Sequence, residues 1–278
     1  MTINCKGQLI DLSSPKVMGI LNITPDSFFD GSFYSTDKEI LLQVEKMLNE
    51  GAAFIDVGAY SSRPNGKNIS ENDELKRIIS KVELILKQFP DALLSIDTFR
   101  SNVAKHCIEI GACMINDISA GQLDTKIMAT VGALNVPYIM MHMKGTPQTM
   151  QQHTNYDDLV NDILFYFSEK IAEARQLGIV DLIIDPGFGF AKTIEQNYEL
   201  LNKLELLKMS GLPMLVGFSR KSMIYKPLNT SATDALNGTT ALNTIALQKG
   251  ANILRVHDVK EAMECIKLMS FLRKQESF

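Results

Sequence analysis

Eight short apolar runs recur along the chain, at 17–21, 53–57, 93–96, 113–115, 138–141, 182–184, 214–216 and 253–256, each with Asp, Asn, His, Ser or Arg at or near its end. Between them the apolar spacing becomes helical. The clearest stripe is Leu159, Val160, Ile163, Leu164, Phe167 and Ile171, with Asp157 and Asp158 at the end where a helix favours negative charge and Gly178 as its stop. Similar patterns cover 38–50, 71–88, 101–110, 125–131, 195–207, 233–249 and 260–274, so a helix follows each strand. Alternation this regular predicts parallel β/α units. A doubly wound open sheet would gather its polar groups at one crevice. Here nearly every strand end carries them, as expected when eight loops leave one rim of a closed barrel. The expectation is an α/β fold, a single (β/α)8 TIM barrel over 16–278, with residues 1–15 as an N-terminal extension forming a short hairpin across the opposite end.

A chain of 278 residues with 45% hydrophobic content suits one such domain, and no stretch reads as a linker. The formal charge of −4 gives no reason to expect nucleic acid or an anionic membrane as a partner, so small molecules are expected. The opening MTINCKGQLIDLSS lacks a charged head and apolar stretch, and no segment reaches membrane-spanning length, which points to the cytoplasm. Cys5, Cys107, Cys113 and Cys265 have no metal-site spacing and are expected to be reduced structural thiols.

The chemistry sits after the runs. MGILNITPDSFFDGS (18–32) is rich in turn formers and side-chain oxygens. IDVGAYSSRPNGK (55–67) has Gly58 for tight backbone and Arg63 for a fork that matches phosphate oxygens. Asp97 in SIDT and Asn116 in IND follow buried residues and need partners, so at one rim they would form an edge for a polar heterocycle. In IMMHMKGTPQTMQ (139–151) the methionines read as core filling and pocket wall. His142 has no second ligand at metal spacing and reads as structural or pocket-lining. LIIDPGFGFAK (182–192) lacks the Lys-Ser/Thr ending of a P-loop; its Asp185 can instead accept two parallel N–H bonds from a guanidine-like ring edge, beside an aromatic face. LVGFSRKS (215–222) and LRVHDV (254–259) bring cations: Ser219 as a cap for the next turn, Lys221 reaching inward, and Arg255 and His257 pointing to one side of an extended segment. Facing Asn22 and Arg63, these would hold a polyphosphate, while Arg220 and Lys226 read as a solvated rim.

With MGILNITPDSFFDGS, SIDT, IND, HMKGTPQTMQ, IDPGFGFAK, GFSRKS and RVHDV in this order, the chain resembles the bacterial dihydropteroate synthases along nearly its whole length. The resemblance implies a transferase of folate biosynthesis. Such an enzyme joins p-aminobenzoate to 6-hydroxymethyl-7,8-dihydropterin pyrophosphate, giving 7,8-dihydropteroate and pyrophosphate by an SN1-like displacement. It implies pterin binding by Asp97, Asn116, Asp185, Phe190, Gly217 and Lys221. Pyrophosphate would lie by Asn22, Arg63, Arg255 and His257, and p-aminobenzoate by Ser62, Arg63, Pro64, Phe188, Ser219 and Lys221. Asp97, Lys221, Arg255 and His257 would be catalytic, and Mg²⁺ would be held by Asn22 and phosphate oxygens. Sulfonamides are implied as competitors and a homodimer as the assembly, with Met263, Ile266, Leu268, Met269 and Phe271 of the final helix available to it. Two departures stand out. The family's Gly-Gly-x-Ser-Thr-Arg-Pro-Gly is here Gly58-Ala59-Tyr60-Ser61-Ser62-Arg63-Pro64-Asn65, and Ala191 replaces a glycine often found after the sixth-loop phenylalanine. A pterin-binding methyltransferase barrel and a catalytically silent pterin-binding protein are the competing readings; the cationic RVHDV and the TPDSF loop favour a pyrophosphate leaving group.

Overall fold

A computed structural model describes residues 1–23, 36–62, 66 and 68–275. Strands β1 (Thr2–Cys5) and β2 (Gln8–Asp11) form an antiparallel hairpin, turned at Lys6 and Gly7, both with positive φ. Then come β3 (Lys16–Asn22), β4 (Phe54–Gly58), β5 (Leu94–Asp97), β6 (Met114–Asp117), β7 (Tyr138–Met141), β8 (Leu182–Asp185), β9 (Leu215–Val216) and β10 (Ile253–Val256). These are the eight runs read from sequence. All pair in parallel in the order β8-β7-β6-β5-β4-β3-β10-β9, and one bridge between Ile184 and Met214 joins the two ends. The sheet is therefore a nearly closed barrel. Its strands read as continuous apolar runs because both faces are buried, one by the barrel interior and the other by helices.

The helices are α1 (Asp37–Asn49), α2 (Glu71–Gln88), α3 (Ser101–Ile110), α4 (Ile127–Leu134), α5 (Leu159–Gln176), α6 (Ile194–Asn202), α7 (Ser222–Tyr225), α8 (Leu236–Gln248) and α9 (Val259–Gln275). Local chemistry fixes several starts. Thr36 with Glu39 and Thr193 with Gln196 form capping boxes, and the Asp158 carboxylate accepts from two free N–H groups of α5. The helix expected over 125–131 is found at Ile127–Leu134, and two others differ for a local reason. The stretch read as one helix over 195–207 ends at Asn202 and continues as a 3-10 turn over Leu204–Ser210, because Leu204 and Leu207, three residues apart, are the side chains that must be buried. The helix read from 233 begins at Leu236, since Ser231 and Asp234 close a turn through their own side chains.

Two apolar zones enclose the sheet. The larger lies between strands and helices. The smaller joins Ile3, Cys5 and Leu12 of the N-terminal segment to Met18, Phe54, Met114, Ile139, Ile183, Leu215 and Ile253, which plug the N-terminal end of the barrel. All four cysteines are buried and unpaired as disulfides. Polar chemistry is thereby confined to the other rim.

Candidate active site

Alternation along each strand carries the interior from apolar at the plugged end to polar at the open rim. On β4, Phe54 sits in the plug and Asp56 and Gly58 follow on the same side; on β10, Ile253 is followed by Arg255 and then His257. Arg255 is the hub. Its Nε donates to Asp56 Oδ2 at 2.6 Å and its terminal nitrogen to Asp97 Oδ2 at 2.7 Å, while Asn116 Nδ2 donates to the same Asp56 oxygen at 2.9 Å. One guanidinium thus serves two carboxyl groups. Burial pushes Asp97 up to about 7, Arg255 opposing and Asp56 adding to the rise. Burial works against the Arg255 cation, but Asp56 and Asp97 outweigh it and hold the group firmly charged. Among the described residues, Asp56 Oδ1 and the adjacent Ser95 hydroxyl are buried with no hydrogen-bond partner.

Beside this hub stands Asp185, buried at the end of β8, with Oδ1 accepting from Gly187 N at 2.8 Å. Burial raises its pKa, with Lys221 opposing. Lys221 reaches in from the neighbouring loop, after β9. Its ammonium donates to Phe188 O at 2.7 Å and lies 4.8 Å from the centre of the Phe190 ring; burial lowers it to about 8, against Asp185. Phe190 packs against the cluster formed by Ile118, Met141, Met143, Met150 and Ala191, so part of the methionine cluster does form an apolar wall at the rim. Gly58 leaves open the space where Asn22 Oδ1 and Asp97 Oδ2 converge: a methyl group there would lie 3.6 and 3.5 Å from them. Gly217 lies against Arg255, 3.5 Å from its Cβ on the same measure.

The structure therefore gathers Asn22, Asp97, Asn116, Asp185, Phe190, Gly217, Lys221 and Arg255 at one mouth. His257 joins them through Ser219, whose Oγ lies 3.0 Å from His257 Nδ1. Several other expectations change. Ser219 does not cap the next turn, because its hydroxyl is taken by His257; α7 begins at Ser222 and has no side-chain cap. The Phe188 ring is fully buried, packed edge-on against Phe218 at 5.1 Å, and only its carbonyl faces Lys221, so it does not line an aminobenzoate pocket with its ring. Arg220 is no solvated rim residue: it holds Asp258 with two parallel bonds and also binds Thr233 O. Ser62 is partly exposed, and Arg63 and Pro64 lie outside the described residues.

Four features escaped the sequence reading. Asp56, the second anchor of Arg255, is one. Lys192, buried against His142, is another. The third is Glu74, fully buried on α2, which accepts from Thr98 Oγ1 and Arg100 and so ties the second loop's helix to the third strand's end. The fourth is a cleft of about 350 Å³ beside the mouth, lined in part by Gly189, Lys192, Asn197, Ser222 and Lys226. An acid inside an otherwise apolar strand, as in FIDVG, was the available signal for Asp56.

A family model described as pterin binding enzyme matches residues 18–257. Dihydropteroate synthase of Escherichia coli strain K12 is 41% identical over 271 residues, covering 97% of this chain and 95% of its own length. The chain belongs to the dihydropteroate synthase family. Among solved structures, the Yersinia pestis dihydropteroate synthase in a sulfonamide drug complex superposes with a TM-score of 0.94 at 40% identity, covering 99% of this chain and 100% of that one. The Xanthomonas albilineans dihydropteroate synthase with 4-aminobenzoic acid gives 0.88 at 34% identity, covering 98% of each. The synthase barrel is thus common to all, and the polar rim just described is where this family member presents its buried charges.

Proposed function

We propose that this chain is the dihydropteroate synthase of a folate pathway, joining p-aminobenzoate to 6-hydroxymethyl-7,8-dihydropterin pyrophosphate with release of pyrophosphate. The observation that carries this reading is the single mouth shared by Asp97, Asn116, Asp185 and Lys221 with Arg255 and His257. A flat ring bearing a guanidine edge needs buried acceptors, and a departing diphosphate needs cations next to them.

The chemistry follows from charge. The bond from the pterin's exocyclic methylene to the diphosphate oxygen breaks first, and the bonding pair leaves with the oxygen. Positive character spreads into the ring, where the Asp97 carboxylate would offset it. Arg255 and His257 face the growing negative charge. The aromatic amine then forms the new C–N bond and gives its proton to the departing diphosphate, an SN1-like course in which the chain mainly orients the partners and excludes water. Phe190 supplies a face for the ring and Lys221 a donor to its edge. Ser62, Arg63 and Pro64 belong to the aminobenzoate side of the proposal.

Mg²⁺ is part of the same reading. Among the described residues no group of three or more His, Cys, Asp or Glu side chains could hold a metal, but the Asn22 oxygen beside Gly58 offers the single neutral ligand that suits a hard cation carried mainly by phosphate oxygens and water. When bound it would neutralise charge on the leaving group. No helix among the described residues is long and apolar enough to cross a membrane, and a cytoplasmic setting is proposed on that and on the chain's composition. A homodimer is proposed through the final helix, where Leu268 and Phe271 are exposed; Met263, Ile266 and Met269 serve the core instead. Sulfonamides would compete with p-aminobenzoate. The test is release of pyrophosphate on mixing the two substrates with and without Mg²⁺. Release that requires both substrates and the metal is expected; methyl transfer to a corrinoid, or pterin binding without turnover, would overturn the reading.

A further inference from the structure

The loop after β8 has an unusual backbone. Gly187, Gly189 and Ala191 all have positive φ, at 70°, 83° and 49°, and for Ala191 this is a strained choice. A methyl group on Gly187 would overlap the His142 carbonyl, so the loop is pressed hard against the end of β7. Side chains from outside the loop hold it in this shape. Asp185 takes Gly187 N, Asn197 Oδ1 takes Gly189 N at 2.7 Å, Lys221 binds Phe188 O, and Tyr156 Oη donates to Ala191 O at 2.8 Å.

Lys192 occupies the middle of this arrangement. Only 3% exposed, it places its ammonium 3.0 Å from each of three acceptors: Gly187 O, Phe190 O and His142 Nδ1. An ammonium has three donors and no acceptor, so the site matches the charged form one bond per hydrogen. A neutral amine would turn a lone pair toward one of those acceptors. Burial keeps His142 neutral, which leaves Nδ1 able to accept. Burial also draws Lys192 down to about 7, with Asp185 opposing and Lys221 and Lys144 adding to the fall.

We infer that Lys192 is a positioning residue for the pterin side of the site, its ammonium clamping both ends of the 187–190 turn so that Asp185, Phe190 and Lys221 meet the ring together. This role rests on the proposed function, and in it the Lys192 ammonium is spent on the loop and His142 rather than on the ring. It acts through the backbone from which Phe190 projects, to which Lys221 is bonded, and against which Asp185 is fixed. Arg255, the anion-holding group, stands on β10 and spends its guanidinium on Asp56 and Asp97.

This separation gives the test. Binding of 6-hydroxymethylpterin and of inorganic pyrophosphate would be measured by calorimetry for the parent, Lys192→Met and Lys192→Gln, with thermal melts alongside. Lys192→Met should weaken pterin binding about tenfold, since displacing a ring's partners by a fraction of an ångström is enough to do so. Pyrophosphate affinity should change less than about twofold by comparison. Lys192→Gln, which keeps two of the three donors, should fall between parent and Met. Equal loss of both ligands, unchanged pterin binding, or failure of both variants to fold would overturn the positioning role and make Lys192 part of the scaffold. A parent that binds no pterin would instead remove the proposed function itself.

Discussion

Replacing Asp185 by Asn tests how the proposed site reads its ring. The carboxylate is 6% exposed, and Oδ1 is already committed to Gly187 N at 2.8 Å, leaving Oδ2 as the oxygen turned to the pocket. Asparagine can keep the Gly187 bond through its own oxygen. Its NH2 group then stands where Oδ2 was, a donor facing the N–H groups of a guanidine-like edge and the Lys221 ammonium. Losing a charge-assisted, buried pairing of this kind costs about 2–4 kcal/mol, or a rise in Kd of about 30-fold to 700-fold. Fold stability should move by only about 1 kcal/mol, because the loop contact survives while a buried charge is removed. Calorimetric titration with 6-hydroxymethylpterin, and with pyrophosphate as the control, reads this directly. A variant whose pterin Kd stays within about twofold of the parent would refute the assignment of Asp185 to the ring edge.

Arg255→Ala should abolish pyrophosphate binding and also destabilise the fold. It leaves the fully buried Asp56 without its cation, a loss of about 3–5 kcal/mol for a broken buried pair, visible as a Tm lower by about 6–15 °C. Arg100→Ala should cost a similar amount by stranding Glu74, with unchanged pyrophosphate affinity; a melt matching the parent would contradict it. Asp97 gives a pH dependence. Its folded pKa, about 7, is above the usual carboxylate value, so the unfolded chain loses this proton first and stability falls as pH rises from about 4 to about 7. Asp97→Asn removes that loss: relative to the parent its Tm should be higher at pH 8 than at pH 4, even as turnover disappears. A parent-to-variant difference that is the same at both pH values would reject the buried, under-compensated carboxylate.

The eight strands were legible because each is buried on both faces and ends at a polar residue; β7 and β10 fall on the residues read from sequence and the others within a residue or so. The mouth was legible where motif and strand end coincide, as at Asp97, Asn116 and Asp185. What the sequence hides is who holds whom. Three acids enter the barrel near Arg255, and only the stagger between strands decides that Asp56 and Asp97 share it while Asp185 faces Lys221. Phe188 and Phe190 look equivalent two residues apart, yet the positive φ at Gly187 and Gly189 sends one ring into the core and the other to the rim. Lys192 closes a familiar motif, but its three acceptors come from folding the loop back on itself, which no spacing rule announces.

The cylinder is stitched unevenly. Seven of its joins are ladders, whereas β8 and β9 touch through the lone pairing of Ile184 with Met214, and immediately above this thin join stand Asp185 on one flank and Lys221 on the other. A ring gripped by both would act as a rivet across the weakest line of the wall. Occupancy of the pocket should then slow amide exchange in β8 and β9 more than in the well-laddered β3 and β4, so that the substrate completes the circumference of the enzyme that uses it.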